Sequence, residues 1–140
     1  MENKTQKIVA IALIRNEEGK ILVQKRVDPL HLEANGKWEF PGGIVEFGET
    51  LAQAAEREAE EETGCSIEIV RLLPYAHMRI WERTDGTKVQ VFVSCFEARL
   101  VEGVARPLEK ESSEVRWCTK EEIAALDTLP ATNEFINLIE

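Results

Sequence analysis

Three glutamates, Glu58, Glu61 and Glu62, stand three and four residues apart in the segment Thr50 to Thr63. If that segment is a helix, ~100° per residue places them on one stripe with Leu51, Ala54 and Ala55. The first half of the stripe is apolar and should face the rest of the protein. The second half is carboxylate, while Gln53, Glu56 and Glu60 point the other way into water. Such an arrangement is costly. Like charges at these spacings repel, and carboxylates in a last turn oppose the helix dipole by a few tenths to ~1 kcal/mol each. A divalent cation removes both penalties, and oxygen-only ligands suit Mg²⁺ or Mn²⁺. The plain alternative is a solvated acidic run, and stripe geometry alone does not decide between them.

The flanking residues do decide. Gly43, Glu49, Arg57, Glu58, Glu61, Glu62 and Gly64 form the pattern G-x5-E-x7-R-E-A-x-E-E-x-G-C. This resembles the signature of the Nudix hydrolases, in which bulky aliphatic residues take the places held here by Ala59 and Cys65. Every glycine and charged position matches, and the two departures fall at packing positions. The resemblance implies an α/β protein, an α/β/α sandwich with a mixed central β-sheet. It also implies an enzyme that cuts a phosphoanhydride bond in a nucleoside diphosphate linked to another group, with Mg²⁺ as cofactor and Mn²⁺ as a possible substitute.

The same resemblance assigns roles. Glu58, Glu61 and Glu62 would hold metal, and Arg57 would orient Glu61 or Glu49. Gly42 and Gly43 would let the backbone approach the substrate closely. In Lys110-Glu111-Ser-Ser-Glu114-Val-Arg-Trp117, Glu111 resembles the further metal-binding or catalytic carboxylate of MutT-like members, with Glu114 the second choice. Arg26 resembles a phosphate-contacting arginine. Asn133, in Pro130-Ala-Thr-Asn133-Glu134, resembles a purine-reading asparagine, and its plain alternative is an N-cap. Catalytic work would therefore rest on Glu61, Glu58, Arg57 and Glu111. The leading activity is MutT-like, nucleoside triphosphate to monophosphate plus pyrophosphate. ADP-ribose, a dinucleoside polyphosphate or another nucleotide derivative is the variant within the enzyme class. A non-catalytic nucleotide-binding regulator on the same fold is the reading outside it, and retention of all three helix carboxylates argues against it.

The elements that must hold these groups follow from pattern. Ile8–Ile14 and Ile21–Arg26 read as a strand pair around the turn Asn16–Gly19. Trp38–Phe40 is extended before Pro41, and Gly42, Gly43 and Gly48 mark a tightly turning loop. Thr50 caps the central helix and Gly64 ends it. Ile67–Leu73, Tyr75–Trp81, Lys88–Phe96 and Glu114–Cys118 read as strands. Helices are expected over Lys120–Leu126, capped by Thr119, and over Asn133–Ile139. His31, His77 and Tyr75 read as loop or core residues.

The chain has 140 residues, which suggests a single domain over 1–140. Its net charge of −9 argues against nucleic acid and anionic membrane as partners. A small phosphorylated nucleotide is compatible with that charge once metal neutralises the site. No apolar run is long enough to span a bilayer and no leader pattern opens the chain, so the cytoplasm is expected, with the protein a monomer or homodimer. Cys65, Cys95 and Cys118 follow no metal-binding spacing and are expected to be reduced thiols. The distance of Glu111 from Trp117 makes a direct prediction. Glu111→Ala should lower kcat for nucleotide hydrolysis more than Glu114→Ala. A reversed order would shift the loop alignment by one turn, and equal near-wild-type rates would leave the loop merely solvated.

Overall fold

A computed structural model describes residues 3–139. The elements are β1 (Lys4–Arg15), β2 (Ile21–Arg26), β3 (Trp38–Glu39), β4 (Gly42–Ile44), α1 (Leu51–Thr63), β5 (Ser66–Glu82), β6 (Lys88–Glu102), β7 (Ser112–Cys118), α2 (Lys120–Ala124) and α3 (Pro130–Ile136). The strands form one sheet of order β3-β2-β1-β6-β5, with β4 paired to β1 and β7 to β2. The β1–β6 pair is parallel and the others are antiparallel, so the sheet is mixed.

The sheet forks. β1 and β2 pair only where they leave their hairpin, at Arg15 and Ile21. Beyond that point β1 turns to β4, with Ala10 opposite Gly43 and Ile11 opposite Gly42. Gly42 and Gly43 are therefore strand residues, where the sequence suggested a turning loop. Their partner lies some thirty residues earlier in the chain, and no local pattern announces such a pairing. The Pro41 carbonyl accepts from Ala12 N–H at 2.8 Å and seals the fork. Ile67–Leu73 and Tyr75–Trp81 are likewise one continuous strand, β5, whose register shifts between Leu72 and Ala76 absorb Pro74.

Alternation along β1 builds a core on each face. Ile11 and Leu13 pack with Phe40, Val93, Phe135 and Ile136 on the α2–α3 side. Ala10, Ala12 and Ile14 pack with Ala54, Ala55 and Ala59 on the α1 side. This is the α/β/α sandwich. Ala59 and Cys65, the two departures from the signature, are both fully buried. The apolar stripe of α1 therefore does not stop at Ala55: it continues one turn later through Ala59 and Thr63, and the acids flank it. Among those acids only Glu62 is buried.

α1 starts in a capping box. The Thr50 hydroxyl accepts from Gln53 N–H and the Gln53 side chain accepts from Thr50 N–H. Gly64, at φ 77°, closes it in the left-handed region. The segment before it is strapped by Arg57, whose Nε and Nη2 donate to both oxygens of Glu49 at 2.8 and 2.9 Å and whose Nη2 also reaches the Ile44 carbonyl at 3.1 Å. Glu49 thus serves this strap and accepts from Glu46 N–H. The Arg57 bond and then the Glu46 amide hold the Glu49 carboxyl down at about 2. A folded-state value below the ordinary 4.5 adds stability that is present above that ordinary value and lost as pH falls through the folded one. The melting-temperature gap between wild type and Glu49→Gln should therefore shrink as pH is lowered from about 4.5 to about 2. A gap constant across that window would show that the strap adds no pH-dependent stability.

Candidate active site

The end of α1 meets the sheet fork, and the site is built there. Gly42 N–H donates to Glu62 Oε1 at 2.7 Å, and Gln24 Nε2 donates to Glu62 Oε2 at 3.0 Å. Burial pushes the Glu62 carboxyl up to about 8. The Gln24 and Gly42 bonds pull it back, and the charge of Glu39 adds to the upward push. Glu39, on β3, is also raised by burial, against the pull of Arg26. Arg26 donates from Nη1 to Glu39 at 3.0 Å and from Nη2 to Asp28 at 2.7 Å. Its own burial works against its charge, but Glu39 and Asp28 outweigh that and hold it above its usual value.

Glu58 and Glu61 share one donor. Arg57 Nη1 lies 2.9 Å from Glu58 Oε1 and 3.1 Å from Glu61 Oε2. Burial raises the Glu58 carboxyl and Arg57 lowers it, with Glu61 and Glu109 adding to the rise. Gly43 makes room for this group. A Cβ placed on Gly43 would stand 2.6 Å from the Glu58 carboxyl carbon. One arginine therefore orients Glu49, Glu58 and Glu61 together, where the sequence offered a choice between two of them.

These groups open on one cavity of about 620 Å³, a size suited to a small-molecule ligand. Arg26, Gly42, Gly43, Glu58, Glu61, Glu62 and Glu111 all line it. Glu114 does not, and pairs with Arg116 at 2.7 Å. Asn133 stands apart. It is exposed on α3 and is absent from the cavity lining, which takes Pro130, Ala131 and Thr132 from that helix. It is not a cap either. α3 begins at Pro130 with Leu129 in the N-cap position. A proline's fixed φ suits the first turn of a helix, and that signal, read strictly, would have placed the start correctly.

Several site residues escaped the sequence reading. Glu39, Gln24 and Asp28 are isolated polar residues whose neighbours in space lie on other elements. Glu109 is a further cavity carboxylate beside Glu111. His31 bonds Asp28 through Nδ1 at 2.8 Å. His77, buried on β5, bonds Glu134 of α3 through Nδ1. Both imidazoles line the cavity. No local signal marks them, because each histidine is defined by its partner and wall.

The donor set suits a hard cation. Glu58, Glu61, Glu62, Glu109 and Glu111 are all oxygen donors facing one space. Among the described residues, no three acidic, histidine or cysteine side chains already converge on one ion position. The bonds above give the reason: Arg57 engages Glu58 and Glu61, while Gln24 and Gly42 engage Glu62. A cation held here would share these carboxylates with Arg57, Gln24 and the Gly42 amide. All three cysteines are buried free thiols, as expected. No described helix is long and apolar enough to cross a membrane.

Known proteins agree with this architecture. A family profile described as NUDIX domain matches residues 4–138. The 8-oxo-dGTP diphosphatase of Haemophilus influenzae is 33% identical over 129 residues, covering 92% of this chain and 88% of that protein. The 8-oxo-dGTP diphosphatase of Escherichia coli is 38% identical over 89 residues, or 56% of this chain and 67% of that one. Among solved structures, the MutT protein from Methanosarcina mazei aligns at TM-score 0.70 and 30% identity, covering 97% of this chain and 93% of its own. A MutT Nudix hydrolase from Burkholderia pseudomallei aligns at TM-score 0.75 and 25% identity, covering 96% and 98%. Members of this family generally use divalent metal ions and act on small nucleotides. With the domain match running nearly from end to end, and relatives of one kind in both sequence and fold, the chain belongs to the Nudix hydrolase family, among its MutT-like nucleotide pyrophosphohydrolases.

Proposed function

We propose that this chain, acting as one domain over 1–140, is a Mg²⁺-dependent hydrolase that converts a nucleoside triphosphate to its monophosphate and pyrophosphate. The observation that carries the reading is the acid wall itself. Glu58, Glu61, Glu62 and Glu111 face one nucleotide-sized cavity, with Arg57 aligning two of them. The relatives named 8-oxo-dGTP diphosphatase support a triphosphate substrate and cleavage to the monophosphate. Mn²⁺ is the natural substitute.

Glu58, Glu61, Glu62 and Glu111 would hold the cation. When bound, it neutralises phosphate charge and acidifies an attacking water. The protein's own share is orientation. Arg57 fixes Glu58 and Glu61 in direction, so little reorganisation is left for the reaction itself. The Gly42 amide and Gln24 hold Glu62 in one rotamer. Gly43 keeps the space in front of Glu58 free of side chain, so phosphates can approach backbone and carboxylate together. A carboxylate of this wall accepts the proton of the attacking water. Arg26 meets a phosphate only by sharing its guanidinium with Glu39 and Asp28, and so acts as a brace as much as a contact.

Two predictions separate chemistry from folding. Glu61→Gln should lower kcat by roughly a hundredfold or more at saturating Mg²⁺. It should leave the metal-free melting temperature unchanged or higher, since one repulsive charge is removed. Turnover undiminished in that variant would sink the assignment. The adjacent glycines should behave differently. A Cβ on Gly42 would lie 2.4 Å from the Ala10 carbonyl oxygen, which is backbone and cannot move aside. A Cβ on Gly43 meets the Glu58 carboxyl group, which can. Gly42→Ala should therefore chiefly lower the melting temperature, and Gly43→Ala chiefly the activity and the Mg²⁺ affinity. Equal effects of the two on both measures would contradict this account of the cradle.

A further inference from the structure

The acids on α1 and the loop before β7 occupy one side of the cavity. The other side is the sheet face under α3, where His77 lies directly opposite Val93 of β6 and Val93 opposite Val9 of β1. Phe40 and Val91 also line this part. A flat, mainly apolar group suits such a wall, and a few fixed polar atoms within it determine orientation.

His77 supplies such an atom. Its ring is 6% exposed. Its Nδ1 bonds Glu134, which reaches across from α3. The Tyr75 hydroxyl also lies close to Glu134, and burial and then that carboxylate raise its pKa above the ordinary value. A carboxylate accepts only, so the Nδ1 proton stays on Nδ1 and, in the neutral ring, Nε2 carries the lone pair. Among the described residues no partner takes Nε2, and it is not among the side-chain atoms buried without a partner. Its remaining site therefore opens on the cavity that the ring lines.

We infer that His77 is a specificity-determining residue, whose Nε2 accepts a hydrogen bond from an N–H donor on the nucleobase, with Glu134 as the positioning residue that fixes the tautomer. The role that the sequence assigned to Asn133 thus passes to its neighbour Glu134, acting through a histidine on β5. The inference rests on the nucleotide-hydrolase reading above for its ligand. It does not need turnover for its test.

The test uses the full chain and nucleoside monophosphates. Nitrogen-15 NMR of the free protein should find His77 protonated at Nδ1 and bare at Nε2. Saturating monophosphate should shift Nε2 while Nδ1 stays protonated. Affinities for GMP against IMP, AMP against purine riboside monophosphate, and 8-oxo-GMP against GMP compare bases that differ by the 2-amino donor, the 6-amino donor and the N7–H donor in turn. At least one pair should differ by roughly tenfold or more in wild type, the donor-bearing base binding tighter. His77→Phe should erase that difference. Glu134→Gln should reduce it, because a glutamine amide can donate to Nδ1 and let the proton move to Nε2. With triphosphates, KM should rise more than kcat falls in both variants. A protonated Nε2, an Nε2 signal unmoved by monophosphates up to millimolar concentration, or pair ratios unchanged in Glu134→Gln would each overturn the inference. His77 would then only brace α3. Should His77→Phe fail to fold, the NMR signature and Glu134→Gln still decide. Loss of hydrolysis in wild type would strike the functional reading, and the binding ratios would stand apart from it.

Discussion

Helix α1 approaches β1 and β4 through small residues. Ala10 and Ala12 of β1 meet Ala54, Ala55 and Ala59 of the helix, and Gly43 of β4 meets the carboxyl of Glu58. Everything at the site depends on this close approach. Small residues bury little apolar area, at ~25 cal/mol per Å², so the contact is not chosen for strength. It is chosen for distance. A larger residue at Ala59 would force overpacking or push the helix outward, and overpacking costs typically 1–3 kcal/mol. The carboxylates of the last turn would then leave the Gly42 amide and the fork. The two departures from the family signature, Ala59 and Cys65, are both of this compact kind, and both are fully buried.

Proximity creates the electrostatic problem that the remaining residues solve. Glu62 and Glu39 are desolvated near each other, and Glu58 faces Glu61 and Glu109. Each burial favours the neutral acid. The opposing cations are few and shared: Arg57 serves Glu49, Glu58 and Glu61, and Arg26 serves Glu39 and Asp28. Neutral donors, the Gly42 amide and Gln24, do the rest. The wall is thus left short of positive charge where Glu58, Glu61, Glu62 and Glu111 would hold a cation. On the proposed reading, a chain of net charge −9 would accept a polyphosphate on these terms.

Legibility in the sequence followed the range of the interaction. α1 and its caps were readable because Thr50, Gln53 and Gly64 act on neighbours a few residues away. The acids and Arg57 were readable for the same reason, since one helix turn relates them. The fork was not. Gly42 and Gly43 become a strand only through β1, and nothing within ten residues of them specifies it. Gln24, Asp28 and Glu39 were invisible as a group because each is ordinary alone. Asn133 was misplaced for a different cause. The helix there starts one turn earlier than its polar residues suggest, and that single turn carries Asn133 to the solvent side and Thr132 into the core.

The two walls of the cavity therefore differ in how they are encoded. The acidic wall comes mostly from one helix and one strap, so on the proposed reading substitutions there would act at once on metal, phosphate and fold. The opposite wall is assembled from β5, β6 and α3, which meet only in space. Its elements touch through side chains such as Tyr75 against Phe135, with ring centroids 5.5 Å apart, and His77 against Glu134. Changes on that side can alter which base is held without touching Arg57 or the carboxylates it aligns. A fold divided in this way could keep one chemistry while its selectivity drifts, because among the described residues His77 and Glu134 share no hydrogen bond with Arg57, Glu58, Glu61 or Glu62.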